Sequence, residues 1–286
     1  MNKSVFPPRL RAAFAGLALI GGLAVSGAAH ADQLDDIMKA GKLRVAIDLG
    51  VPPYGMKDAA LNPTGSDVET ARLLAKGLGV TLEIVPTTGA NRVPFLQTGK
   101  ADIVISSMSV TPERQKVIDF STPYAAILAV VGAPRDMKLT SAADLSSKKV
   151  IATRGTTNDT ELTRIAPKDA QIIRFDDDAT SITAVVSGQA DIFATAPALL
   201  RTINEKAPAK QMESKFVMRL NMLAIGLRKN EPALKDKLDG WVRANLKSGE
   251  LNTIYKQFHG VDLPQEVGKA GGWPRRPHGP HRSRRG

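Results

Sequence analysis

The chain has 286 residues, 43% of them hydrophobic, with no cysteine and a formal net charge of +11, enough length for one large domain or two small ones. The lack of cysteine excludes disulfides, thiolate chemistry, Cys-bound zinc and a lipid-modified cysteine. The positive charge lies at the ends: three basic residues before Asp32 and six after Val267 have no acid among them, and removing them leaves +2 for residues 32–267, so the electrostatic case for nucleic acid fails.

At the N-terminus Lys3, Arg9 and Arg11 precede an apolar run from Ala12 to Ser26, and Ala29-His30-Ala31 places small residues around a larger one. This is the pattern of a signal peptide cleaved after Ala31. The competing reading, a membrane anchor, is disfavoured because Gly16, Gly21, Gly22 and Gly27 interrupt the run, which falls short of the roughly 20 apolar residues a span needs. An exported, cysteine-free chain without an anchor points to a bacterial periplasm.

Strand and helix patterns then alternate. "LRVAID" (Leu43 to Asp48) reads as a buried strand, "SDVETARLLAKGLG" as a helix capped near Ser66 and stopped at Gly79, and "TLEIVP" as the next strand. Two later segments, "TGKADIVIS" from Thr98 and "SGQADIFAT" from Ser187, read almost alike. Each follows an apolar-periodic stretch that ends at a glycine, so a helix, turn and strand unit is used twice. Between them "KVIAT", a helix from about Thr157 to Arg164, "QIIRF" and a helix from about Asp178 to Ser187 restart the alternation. After Met222 come "LAIGLRK" as a strand and helices from about Glu231 to Ser248 and Gly249 to His259.

This α/β alternation predicts mostly parallel sheets in two similar lobes. The expected division is residues 32–126 with 222–263 for the first lobe and 127–221 for the second, with crossings near Ala125 to Leu128 and Met218 to Leu223. Residues 264–286, rich in Gly, Pro and Arg, are expected to form a disordered basic tail. Ligands of open α/β sheets bind beyond the carboxyl ends of the strands, which places a cleft between the lobes.

Several residues fall at that cleft. Ser106, Ser107 and Ser109 follow the first repeated strand, and "TPER" opens a short helix with Pro112 in its first turn, a setting of hydroxyls and backbone N–H groups suited to an anion. Arg114 has two readings, a fork that grips a carboxylate or a solvated helix arginine. Thr156 and Thr157 in "ATRGTTND" form either a plain helix cap or a cap that also faces the ligand. Arg92 either adds positive charge to the cleft or does not reach it. Asp48 and Tyr54 suit ligand contact and turn chemistry equally. The run Asp176 to Asp178 reads as helix N-terminal charge rather than a carboxylate cluster. No histidine falls in the inferred cleft, and no metal cluster, GxSxG or Walker motif is present; no cofactor, no metal and no enzymatic activity are expected.

The ordered set "LQTGKADIVISSMSVTPERQKVIDFSTPY", "VIATRGTTND", "VVSGQADIFAT", "IGLRKNE" and "LKSGELNTIYKQFHG" resembles the periplasmic solute-binding proteins of polar amino-acid ABC transporters, bacterial extracellular family 3, from about Lys42 to Val261. The resemblance implies a periplasmic-binding-protein fold of type II, two α/β lobes joined by two hinge crossovers. It also implies a monomer that closes on one small carboxylate or amino acid and delivers it to an inner-membrane permease. By the same resemblance Arg114 pairs with the α-carboxylate, Ser107 and Ser109 contact the ligand, and Thr157 with Thr156 supplies the second lobe's carboxylate contact. Arg92 matches an arginine that acidic-amino-acid binders place on a side-chain carboxylate. Two positions depart from the pattern. Ala196 stands where amino-acid binders usually carry an ammonium-binding Asp, so either another acid such as Asp48 replaces it or the ligand lacks an ammonium. Val51 stands where basic-amino-acid binders often carry an aromatic. An acidic or polar amino acid is therefore expected, with a non-amino organic acid and a dehydratase-like enzyme on the same scaffold as alternatives.

Overall fold

A computed structural model describes residues 32–267 and 269. The predicted signal peptide with its cleavage site, and the basic tail from residue 270, lie outside the described residues.

The first stretch runs α1 (Gln33–Ala40), β1 (Lys42–Ile47), β2 (Met56–Lys57), β3 (Pro63–Thr64), α2 (Ser66–Leu78), β4 (Thr81–Pro86), α3 (Arg92–Gln97), β5 (Ile103–Val104), α4 (Pro112–Gln115) and β6 (Asp119–Phe120). The middle stretch holds β7 (Ala125–Pro134), β8 (Lys149–Thr153), α5 (Thr157–Ile165), β9 (Gln171–Phe175), α6 (Asp178–Val186), β10 (Ile192–Thr195), α7 (Pro197–Lys206) and β11 (Met212–Leu223). The chain ends with β12 (Gly226–Leu227), α8 (Pro232–Ser248) and α9 (Glu250–His259). No helix among the described residues is long and apolar enough to cross a membrane.

Two five-stranded sheets result, ordered β4-β1-β5-β12-β6 and β9-β8-β10-β7-β11. In each, three parallel strands are followed by two antiparallel ones. The repeated sequence occupies equivalent places: α3 and α6 end beside Gly99 and Gly188, at φ +69° and +80°, and β5 and β10 form the centres of the two sheets. That left-handed conformation is one only glycine adopts without strain, which explains the shared glycine.

Both faces of each sheet are covered, as continuous apolar strands require. Val45, Ile47 and Ile103 join one cluster while Ala46 and Val104 join another with Leu96, Ile118 and Phe120. In the second sheet Ile151 and Phe193 face one way and Val150, Ala152 and Ala194 the other. The last two helices return to the first stretch, α8 against α1 and α9 against α2. Asp32 fixes that return: it caps α1 through Leu34 N–H and accepts from Ala233 and Leu234 at the start of α8. Glu231, at the α8 cap position, makes no capping bond of its own.

β7 and β11 pair antiparallel from Pro134–Met212 to Ala125–Leu223. At that last pair they meet the other sheet's loops, with Tyr124 N–H bonded to Leu223 O and Val110 N–H to Met222 O. One local expectation needs correction. Ser66 does not cap α2; Gly65 occupies the cap position without a side-chain bond, and the Ser66 hydroxyl instead meets His259 Nε2 at 3.1 Å.

Candidate functional site

On the first lobe's side the site grows from the end of β5. Ser106 Oγ accepts the Asp48 backbone N–H at 2.9 Å. Ser107 then turns into the left-handed region at φ +41°, a costly conformation for a residue with a side chain. A buried carboxylate holds it there: Ser107 N–H donates to Asp67 Oδ2 at 2.6 Å, and Tyr124 donates its hydroxyl to Asp67 Oδ1 at 2.8 Å. Burial pushes the Asp67 carboxyl up to about 6 against these two bonds.

The chain next enters α4, which Thr111 caps through Arg114 N–H with Pro112 in the first turn. Arg114 folds back over this turn. Its Nη1 donates to Ser109 O at 2.8 Å and its Nη2 to Gly155 O, in the other lobe, at 3.0 Å. Desolvation, with Arg92 nearby, lowers its pKa to about 9, which leaves it protonated at neutral pH.

The second lobe answers with two helix N-termini. After β8, Gly155 turns at φ +77° and Thr156 caps α5 through Asp159 N–H. Thr157 Oγ1 lies 3.3 Å from Ser109 Oγ and 3.4 Å from Asn221 Nδ2. The three consecutive acids at the start of α6 have three different partners. Asp176 pairs with Arg154, Asp177 caps α6 through Thr180 N–H, and Asp178 is buried, accepting the Thr153 hydroxyl at 2.5 Å.

The lobes touch through bare backbone. A Cβ on Gly155 would stand 2.7 Å from Ala90 Cα, and one on Gly89 would stand 3.1 Å from Arg154 O. The lobes also enclose a cavity of about 30 Å³, walled by Arg92, Ser107 and Ser109 on one side and Thr156, Thr157 and Asp178 on the other; Thr195 and Ala196 also border it. That volume matches about one water, so an amino acid enters only if the lobes part.

The electrostatics converge on Arg92. It is 4% exposed, its Nη2 lies 3.7 Å from Asp48 Oδ2, and its charge acts on Asp48, Asp67 and Asp178. Among the described residues, the buried side-chain atoms without a hydrogen-bond partner are Asp48 Oδ2, Arg92 Nε, Thr195 Oγ1, Asn221 Oδ1 and Gln33 Oε1. Arg92 and Thr195 border the cavity, and Asp48 and Asn221 stand against its wall residues Arg92 and Thr157. An unsatisfied buried polar atom costs about 1–3 kcal/mol, and such costs gather where a ligand supplies the partners.

The structure thus brings Arg92, Ser107, Ser109, Thr156 and Thr157 to the cavity wall, sets Asp48 behind Arg92, and lays Arg114 across the lobe junction. Tyr54 stands apart from the cavity, its ring edge-on to His259 at 4.6 Å, with Tyr255 stacked on the same imidazole. Asp178 was missed by sequence reasoning, which assigns the whole acidic run to helix-end charge. His259 is the sole histidine among the described residues; burial in this aromatic cluster lowers its pKa to about 4. No group of metal-binding side chains occurs among the described residues.

The pattern of the bacterial extracellular solute-binding proteins, family 3, matches residues 43–261, and the chain belongs to that family. It is similar to the L-cystine-binding protein TcyJ of Escherichia coli, at 28% identity over 86% of this chain and 93% of that one. The cyclohexadienyl dehydratase of Pseudomonas aeruginosa is 27% identical over 90% of this chain and 96% of the enzyme. Among solved structures, the ancestral amino acid-binding protein AncCDT-1, a precursor of cyclohexadienyl dehydratase, aligns with TM-score 0.72 and 36% identity over 79% of this chain and 99% of its own. The two-lobed fold is therefore shared with amino-acid-binding proteins, and the relatives include both binders and an enzyme.

Proposed function

We propose that the protein is a periplasmic receptor that captures a polar amino acid in the cleft between a lobe of residues 32–126 with 222–263 and a lobe of 127–221, and passes it as a monomer to an ABC permease. The observation that carries this reading is the Arg114 fork, directed at one carbonyl from each lobe. A carboxylate that replaced the Gly155 carbonyl at Nη2 would gain a charge-assisted hydrogen bond, roughly twice as strong as a neutral one, while Nη1 stays fixed on Ser109 O. Ser107, Ser109, Thr156 and Thr157 supply the remaining donors. Arg92 is buried against Asp48, its Nη2 3.7 Å from Oδ2, so Arg114 is the cation left for the ligand, which favours one ligand carboxylate and a polar, uncharged side chain. TcyJ, named for L-cystine, suits this class.

Ligand binding would shift an open-closed equilibrium, because the lobes must part to admit the solute and meet again to grip it. The test is thermal shift and calorimetry of the mature protein against the protein amino acids, L-cystine and small organic acids. A ligand at 100 times its Kd adds about 2.7 kcal/mol of stability. If no carboxylate stabilises the protein, the reading is lost. The dehydratase relatives make one control necessary: the bound solute must be recovered chemically unchanged.

A further inference from the structure

We propose that Asp178 accepts the ammonium group of the solute, and that the solute is therefore a zwitterionic amino acid rather than a simple organic acid. This rests on the reading that Arg114 takes the carboxylate. Asp178 opens α6, 6% exposed, in the cavity wall of the second lobe. Its neighbour Asp177 does the capping, so Asp178 is released from the usual duty of an acid at a helix start.

Its partners are incomplete. Oδ1 accepts the Thr153 hydroxyl, which also meets Ser181 Oγ at 2.8 Å, and among the described residues no salt bridge or second donor reaches the carboxylate. Arg92 acts on it from a distance, with Asp48 opposing. Burial pushes its carboxyl up to about 6, the mark of an anion short of a counter-charge. Asp48, the other acid at the site, differs in having a counter-charge: Gly50 N–H donates to its Oδ1 at 3.0 Å, and its Oδ2, which accepts no hydrogen bond, has the Arg92 guanidinium 3.7 Å away. Ala196, which borders the same cavity, offers no charge. A buried carboxylate with one hydroxyl partner, in a wall that also holds the unpartnered hydroxyl of Thr195, is satisfied by a cationic donor such as an ammonium.

The experiment compares wild type, Asp178→Asn and Asp48→Asn by calorimetry at pH 7.5. The probes are the twenty protein amino acids, L-cystine, and the des-amino counterpart of each binder, such as glutaramate for L-glutamine or 3,3′-dithiodipropionate for L-cystine. Asparagine keeps an acceptor for Thr153, and circular dichroism checks the fold. The proposal predicts that wild type prefers an amino acid over its des-amino counterpart by at least about 100-fold. Asp178→Asn then weakens the amino acid by at least about 30-fold, the des-amino acid by less than about threefold, and exceeds the effect of Asp48→Asn. Undiminished amino-acid binding by Asp178→Asn overturns it, as does wild type that binds the des-amino acid equally well; in both cases the carboxylate reading at Arg114 stands. If wild type binds none of the probes, both readings fall.

Discussion

The two lobes share one strand order, yet the residues they bring to the cleft are close to opposites. The helix before the first central strand opens with Arg92, and the helix before the second opens with Asp178; both are buried and both border the same cavity. Beyond β5 the chain makes a strained serine turn and sends Arg114 across to the other lobe, whereas beyond β10 it passes straight through Ala196 and Pro197 into α7. A duplicated framework thus fixes where ligand-facing residues stand while leaving their charge free. Both lobes contribute hydroxyls, but the cations Arg92 and Arg114 come from the first, and the acid that borders the cavity, Asp178, comes from the second.

The contrast breaks most completely at Arg114. Arg114→Ala should lower affinity for the cognate amino acid more than 100-fold, about 3 kcal/mol, with the fold intact. Arg114→Lys should recover only part of it, since a lysine cannot present two parallel donors; calorimetry on both variants checks this. Gly155→Ala tests the backbone contact between the lobes. It combines a left-handed φ of +77° with a Cβ 2.7 Å from Ala90, so roughly 1–3 kcal/mol of strain should appear as weaker binding and as a more open particle in X-ray scattering with ligand present.

Asp178→Asn sharpens the difference between the lobes in the opposite sense, because it should stabilise the unliganded protein. The Asp178 carboxyl rises from 3.8 to about 6 on folding. The native state therefore holds a proton that the unfolded chain has lost, and stability falls as pH rises from about 4 to 6. Above pH 6 the full penalty applies, at most about 3 kcal/mol, so the variant should melt several degrees higher at pH 7.5. Asp67, also raised to about 6, contributes to the same window. A melting profile between pH 4 and 7 that flattens in Asp178→Asn checks the sign.

Most of the framework was legible because its signals are local: short apolar strand runs, glycines after helices, and a nine-residue segment that recurs. The site was less so. Arg114 looks like any helix arginine until the chain is folded, and the resemblance, not its neighbours, singled it out. Asp177 and Asp178 are indistinguishable in sequence; which one caps depends on where α6 starts, and a one-residue step turns the other acid by about 100° around the helix. Tyr54 was drawn towards the ligand by its place in a loop, but its partners Tyr255 and His259 come from the last helix, and no local rule foresees that meeting.

The bond network at Asp32 bears on the order in which the molecule is assembled. The middle sheet is complete within residues 125–223, but the other sheet needs β12, and its first helix is fastened to α8 by the Asp32 carboxylate. A chain emerging N-terminus first can close the second lobe while the first still lacks a strand and two helices. Pulse-labelling hydrogen exchange on the refolding protein should find protection in β7 to β11 ahead of β1 and β4, and early protection of β1 would contradict that order.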